Sequence, residues 1–249
     1  MGLFNSYQKE GKGVNKDQYT PRFILFFQIY FRRFWNLITL NFLYLLFCIP
    51  IITIGPATAA MTKILRNYAR EEHAFLWGDF IETFKKNFKQ GLLYWLFDTL
   101  ITAFLIFDLM CVSVVPGDVL FTLSTAAILF GLLVITFMRY YVYSMMITFD
   151  LTLPQLLKNA FIFCWVAFLK NIFLTAVIIF ISWLVIWKLP IPFFLLVMIS
   201  LYFTTTGFVT NFFINPTIKK YMMDGYDPQT GEKIEEEKYE GFEDIGENQ

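Results

Sequence analysis

Residues 36–62 form one unusually long apolar segment, and Lys and Arg crowd it on both sides. Cationic segments cross a bilayer poorly, so Lys and Arg collect in cytoplasmic loops. A segment with cytoplasmic-type charge at both ends should therefore enter the membrane and return to the same side. The run Pro50-Ile51-Ile52-Thr53-Ile54-Gly55-Pro56 in its middle is the expected turn. This restricts the chain to multi-pass membrane folds. It names no reaction and no substrate.

Four other stretches, about 90–112, 119–142, 170–188 and 191–215, each reach the roughly 20 apolar residues that a spanning helix needs. If 36–62 crossed only once, cations would fall in number on both sides of the membrane. With 36–62 as a hairpin, 19 of the 20 Lys and Arg lie on one side and only Lys188 on the other. The expectation is an all-α, multi-pass transmembrane helical bundle of six membrane helices, the first two a Pro/Gly-turned hairpin. Both termini are then cytoplasmic, in a cell-membrane protein. The arms 36–49 and 57–70 are short, and irregular backbone at membrane depth needs partners. The first arm can extend backwards through 23–34. Pro56 is expected at the first position of the returning helix, where no N–H is needed.

Composition agrees with this class: 57% of residues are hydrophobic and 16% charged, against about 45–50% and about 25% for a soluble domain. The zero net charge is partitioned, because residues 1–223 carry a net +8 and residues 224–249 a net −8. Three parts follow: a cytoplasmic N-terminal segment 1–21, a single transmembrane helical domain 22–223, and an acidic cytoplasmic tail 224–249. The tail has too few apolar residues to offset its ordering entropy and is expected to be disordered. The first apolar run, 23–31, is broken by Arg32 and Arg33 and followed by no small-residue cleavage site, so no cleavable signal is expected. Cys48, Cys111 and Cys164 are far apart in apolar surroundings, which fits buried, inert thiols better than disulfides or a zinc site.

Two amphipathic helices are expected on the cytoplasmic surface. Trp77, Phe80, Ile81, Phe84 and Phe88 recur at helical spacing, with Asp79, Glu82, Lys85, Lys86 and Lys89 largely opposite. Leu153, Leu156, Leu157, Ala160, Phe161 and Cys164 repeat the pattern, with Pro154 near the helix start. Such stripes lie in the headgroup region or pack on the inner ends of spans. Lys86-Asn87 and Lys170-Asn171 precede two spans, and Arg33-Phe34-Trp35-Asn36 precedes the first arm, which hints at a degenerate internal repeat.

Charges within membrane spans are expensive, so they are the natural binding or coupling candidates. Asp98 lies near the middle of an apolar run, whereas Asp108 is close to its end. Arg139 is the nearest cation across the short turn 113–118. Counted from that turn, the two differ in depth by about 10 Å, which a snorkelling Arg only half covers. The register therefore favours a protonated Asp98 hydrogen-bonded to Asn, Thr or Tyr. An Asp98–Arg139 pair and a proton- or cation-coupling carboxylate are the alternatives. Asn41, Asn211 and Asn215 suit interhelical hydrogen bonds, with Asn41 kept among the binding candidates. Thr204-Thr205-Thr206-Gly207 reads as a close-packing face. His73 is a lone surface imidazole beside Glu71 and Glu72, too few ligands for a metal. No nucleotide-binding, metalloprotease or nucleophile motif is present, so neither catalytic residues nor a cofactor is expected. The basic residues of 63–89 suit membrane lipid headgroups better than nucleic acid.

The stretch from Asn36-Leu37-Ile38-Thr39-Leu40-Asn41 through Cys48-Ile49-Pro50-Ile51-Ile52-Thr53-Ile54-Gly55-Pro56-Ala57-Thr58-Ala59-Ala60 resembles the YesL-like family of bacterial membrane proteins. So does Asp79-Phe80 with Phe84-Lys85-Lys86-Asn87-Phe88. The resemblance implies a Gram-positive bacterial protein, often encoded beside carbohydrate ABC-transporter permeases, solute-binding proteins and two-component sensors. The family has no established activity. Pro50, Thr53, Gly55, Pro56 and Thr58 match its signature, read as a structural turn first and a contact site second. The leading expectation is a non-enzymatic accessory protein of sugar uptake that binds a permease or sensor. The alternative is a small-solute or cation-coupled transporter using Asp98.

Overall fold

The computed structural model describes residues 21–112 and 119–223, apart from the side chain of Leu120. The turn 113–118, the acidic tail and all of the N-terminal segment but Pro21 lie outside these residues. Every described element is helical: α1 (Arg22–Arg32), α2 (Phe34–Cys48), a 3₁₀ turn (Ile51–Thr53), α3 (Ile54–Ala69), α4 (Leu76–Lys86) and α5 (Phe88–Val112). Then come α6 (Val119–Met146), α7 (Leu153–Val166), α8 (Phe168–Lys188), α9 (Ile191–Val197) and α10 (Phe203–Ile218). A π-helical stretch, Met198–Tyr202, joins α9 to α10, and another, Lys219–Met223, follows α10.

Among the described residues, four helices are long and apolar enough to cross a membrane: α5, α6 from Phe121, α8, and the continuous helix Ile191–Met223. Their surfaces explain the composition. On α5 only Gly91 and Tyr94 are buried, while Leu100, Phe104 and Phe107 are exposed. A helix apolar all round that buries so little against protein is matched to hydrocarbon. The arms α2 and α3 are shorter, 15 and 16 residues, or about 22–24 Å. They form a helical hairpin, with the Tyr44 hydroxyl 3.4 Å from that of Thr58.

Helix α3 is the hub. Twelve of its sixteen residues are buried, and it packs on α2, α4, α5, α6 and α10. Small residues make this possible, since Ala57, Ala59 and Ala60 let neighbouring backbones come close. Gly207 of α10 helps from the other side, where a Cβ would lie 2.7 Å from Leu65 Cδ1. The helix ends in a Schellman motif, with Glu72 N–H donating to Asn67 O and Glu71 N–H to Tyr68 O. Glu71 takes the left-handed conformation there, at φ 60°.

The signature residues build the hairpin turn. Pro50 precedes the 3₁₀ turn, and the Thr53 hydroxyl donates to the carbonyls of Phe47 and Pro50. Thr58 bonds back to Ile54 O at 2.7 Å. Pro56 is the third residue of α3, not the first as expected. The position serves equally well, because the first four N–H groups of a helix have no intrahelical acceptor.

Helices form at both expected segments, α4 and α7, each with a buried stripe rotated from the expected one. On α4, Phe80 is fully buried while Trp77 is exposed, because the ring of Phe47 meets Phe80 and Phe84 at about 5 Å. On α7, Leu156, Ala160 and Cys164 are buried as expected, but Phe163 replaces Phe161 in the core. The reason is a tertiary partner: Phe163 stacks on Tyr141 of α6 at 5.0 Å. Helix α7 packs along α6 as far as Phe130, which meets Trp165 at 6.1 Å. Burial there pushes the Cys164 thiol up to about 12. Cys111 departs from the expectation of buried thiols and is exposed in the last turn of α5.

The lead-in asparagines have a common job. Asn87 stands at the α4–α5 joint and its amide donates to Thr83 O at 3.1 Å. Asn171, one turn past the α7–α8 joint, donates to Phe163 O and Cys164 O. Each adds a bond to carbonyls at the end of the preceding helix, where Thr83 O and Phe163 O also accept the backbone N–H of Asn87 and Ala167.

Candidate functional site

Polar groups in an apolar bundle must find partners, and the arrangement of those partners defines two stations along α3, α5 and α6. The first is the Asp98 carboxylate, which receives Arg139 Nε at 2.8 and 2.9 Å on its two oxygens. Arg139 also donates to the Thr102 hydroxyl. The depth difference inferred from the sequence is thus closed. Tyr94 meets Tyr143 at 5.1 Å and Gln90 donates to Leu151 O at 2.7 Å. The whole α5–α6 register is therefore displaced relative to the helix ends, and Arg139 meets Asp98 as part of it. Asp98 is mostly buried and charge-compensated, and the pair links α5 to α6.

The second station is a cleft of about 340 Å³ where α3 and α4 face the end of α6. Lys63 and Asn67 contribute from α3, Asp79, Glu82 and Lys86 from α4, and Asp150 from the segment after α6. Two local facts shape it. The Asp79 carboxylate accepts the Phe75 N–H at 3.0 Å, which fixes the start of α4. Lys86 lies 3.8 Å from Asp150, but both are largely exposed, so this pair contributes little.

Behind the cleft sits Arg66, which sequence reasoning did not single out. It is 5% exposed. Its guanidinium donates to the Thr148 hydroxyl at 2.6 Å, to Ile147 O at 3.4 Å and to Asn67 Oδ1 at 3.3 Å. A cation on the carbonyls that end α6 is well placed against that helix's dipole. Thr148 and Asn67 both line the cleft, so Arg66 holds two of its walls together. Its signal in the sequence is a cation one turn before the end of α3, directly after the apolar pair Ile64-Leu65.

Asn41 lies elsewhere. It is fully buried and donates to Met198 O and Ile199 O at 3.3 and 2.6 Å while accepting Thr204 N–H at 3.1 Å. These are backbone groups at the π-helical stretch between α9 and α10. The interhelical role expected for Asn41 is met there: both amide N–H donors and one acceptor position of Oδ1 are used on backbone groups. Asn211 instead bonds back to Gly207 O in its own helix, and neither amide atom of Asn215 has a hydrogen-bond partner among the described residues. Among those residues no cluster of three His, Cys, Asp or Glu side chains is placed to hold a metal ion. The structure therefore brings Asp98 and Arg139 together and leaves Asn41 and the Pro50–Thr58 turn as separate structural features.

The cleft offers two ammonium groups, three carboxylates and neutral amide and hydroxyl groups at the end of a bundle. Such a surface suits a polar peptide segment carrying both charge signs.

Comparison with known families finds one match. Residues 37–109 fit the family described as protein of unknown function, DUF624. The match contains the hairpin, α4, the cleft residues of α3 and α4, and Asp98, while Arg139 and the α6 wall of the cleft lie beyond it. No curated protein and no solved structure matches the chain.

Proposed function

We propose that this chain, whose residues 37–109 fit the DUF624 family, is a non-enzymatic accessory protein of the cell membrane, docking a permease or sensor of carbohydrate ABC-type uptake at its inner face. The observation that carries the reading is the charged cleft between α3, α4 and the end of α6. Three separate elements converge on it, and the buried Arg66 braces its walls. The distribution of cations supports a topology in which the four long helices cross fully. The α2–α3 hairpin enters and returns between them, and both termini are cytoplasmic. The cleft then faces the cytoplasm, where transporter and sensor domains present polar loops. The resemblance to YesL-like proteins supplies the class of partner.

The test is photo-crosslinking from Glu82 in cells that co-express the protein with carbohydrate ABC permease and sensor genes, followed by mild detergent extraction. A crosslink to a permease or sensor is expected, and Glu82→Lys/Lys86→Glu should reduce co-purification at least fivefold. A cysteine at Glu71 should react with an impermeant maleimide only in inverted vesicles. A chain that purifies alone, with or without the charge reversal, would overturn the docking reading.

A further inference from the structure

A groove of about 960 Å³ opens between α1, α8 and α10, and its lining is almost wholly apolar. Its two ends differ. Phe26 meets Phe212 at 5.3 Å and Phe173 meets Phe213 at 5.7 Å, so these positions share one level. Arg22 lies one turn before Phe26 on α1, and Lys170 just under one turn before Phe173 on α8. Both cations line the groove, and this register puts them at the same end. Lys170 Nζ is 3.4 Å from the Thr217 hydroxyl. Neither cation forms an ion pair with a carboxylate among the described residues. At the far end, Tyr30 and Thr205 bond each other at 2.8 Å and close the polar account.

We propose that this groove binds one anionic phospholipid, with an acyl chain along the aromatic walls and the phosphate between Arg22 and Lys170. Size supports this occupant. From Lys170 to Ile181 the groove follows α8 for about 16 Å, close to half of the roughly 30 Å hydrocarbon core. That length suits one acyl chain, with Arg22 and Lys170 at one end of the groove, while α1 runs on past the other end to Arg32, which pairs with Glu71. Charge supports it as well, because two cations without carboxylate partners among the described residues favour anionic over zwitterionic lipid. In the proposed topology the cationic end belongs to the inner leaflet. The inference rests on membrane embedding and not on any docked partner.

The purified full chain, exchanged into mixed micelles with equal phosphatidylglycerol and phosphatidylcholine, is read by native mass spectrometry. One retained lipid per chain is expected, with phosphatidylglycerol enriched at least fivefold. Arg22→Gln/Lys170→Gln should abolish the enrichment, whereas Arg22→Lys/Lys170→Arg should preserve it. Val177→Trp, which fills the groove, should lower total retained lipid at least fivefold. Thermal unfolding of each variant checks that the bundle is intact. Enrichment that survives loss of both cations overturns the proposal, as does equal retention of the two lipids. So does a particle of doubled mass that Val177→Trp converts to single chains without changing lipid content, since a second copy then fills the groove. The measurement needs no permease, so its failure leaves the docking reading standing.

Discussion

Gly55→Ala is expected to destabilise the bundle by about 3 kcal/mol, the upper end of what overpacking usually costs. In an ordinary exposed helix the same change is favourable by about 0.8–1 kcal/mol, because Ala is the better helix former. The sign reverses here because of what lies opposite. A Cβ on Gly55 would sit 2.1 Å from Gly91 O and 2.7 Å from both Gly91 C and Trp95 Cβ. Two of these atoms are backbone, so no side-chain rotation relieves the clash. Helices α3 and α5 would have to separate, and α3 is the element on which the other inner elements pack. Gly91→Ala meets Pro56 N at 2.9 Å and Cα at 3.0 Å, a milder clash with a smaller expected loss. Gly78 on α4 is the internal control, since a Cβ there finds only Phe75 Cβ at 3.7 Å. Gly78→Ala should be neutral or slightly stabilising. Unfolding titrations in SDS, followed by tryptophan fluorescence, read all three. Equal midpoints for Gly55→Ala and Gly78→Ala would refute the close α3–α5 contact.

The same contact shows where sequence reasoning reaches and where it stops. Apolar run length located α5, α6 and α8 within about four residues, because hydrocarbon thickness dictates that length. It also placed the start of the helix from Ile191, which runs on past the expected end at 215 to Met223. The Pro50–Thr58 turn was legible because Pro, Gly and Thr have strong local preferences. What the turn is for was not legible. Gly55 matters through Gly91, a residue 36 positions away, and nothing local marks the pair. The stripes on α4 and α7 were legible as helices but not in rotation, since Phe47 and Tyr141 decide which side is covered. Arg66 was read only as a loop cation. Its burial depends on α6 ending in carbonyls and the Thr148 hydroxyl beside it. The four long helices are therefore apparent from one-dimensional pattern alone, whereas the cleft exists only through contacts between α3, α4 and the end of α6.

Arg139→Leu is expected to cost about 3 kcal/mol, and adding Asp98→Leu should recover most of it. Depth counted along the helices argued against the pair: Asp98 is 14 residues before Val112 and Arg139 is 20 after Val119, an apparent offset of about 9 Å. The counting assumes helices aligned at their ends, whereas Tyr94 on Tyr143 shows them staggered. Once they meet, the energetics follow from desolvation. Removing the guanidinium leaves a mostly buried carboxylate uncompensated, and an isolated charge at membrane depth costs about 2.5–3.5 kcal/mol. Removing both charges eliminates that penalty, and an apolar pair can be as stable as the ion pair it replaces. Asp98→Asn should lie between, because its amide oxygen still accepts from Arg139 Nε. The coupling energy from the double-mutant cycle is the decisive quantity. If the single changes are each neutral, or their effects simply add, Asp98 and Arg139 do not work as a unit. In that event Asp98 returns as a free carboxylate in a span, the condition a cation-coupled transporter would require.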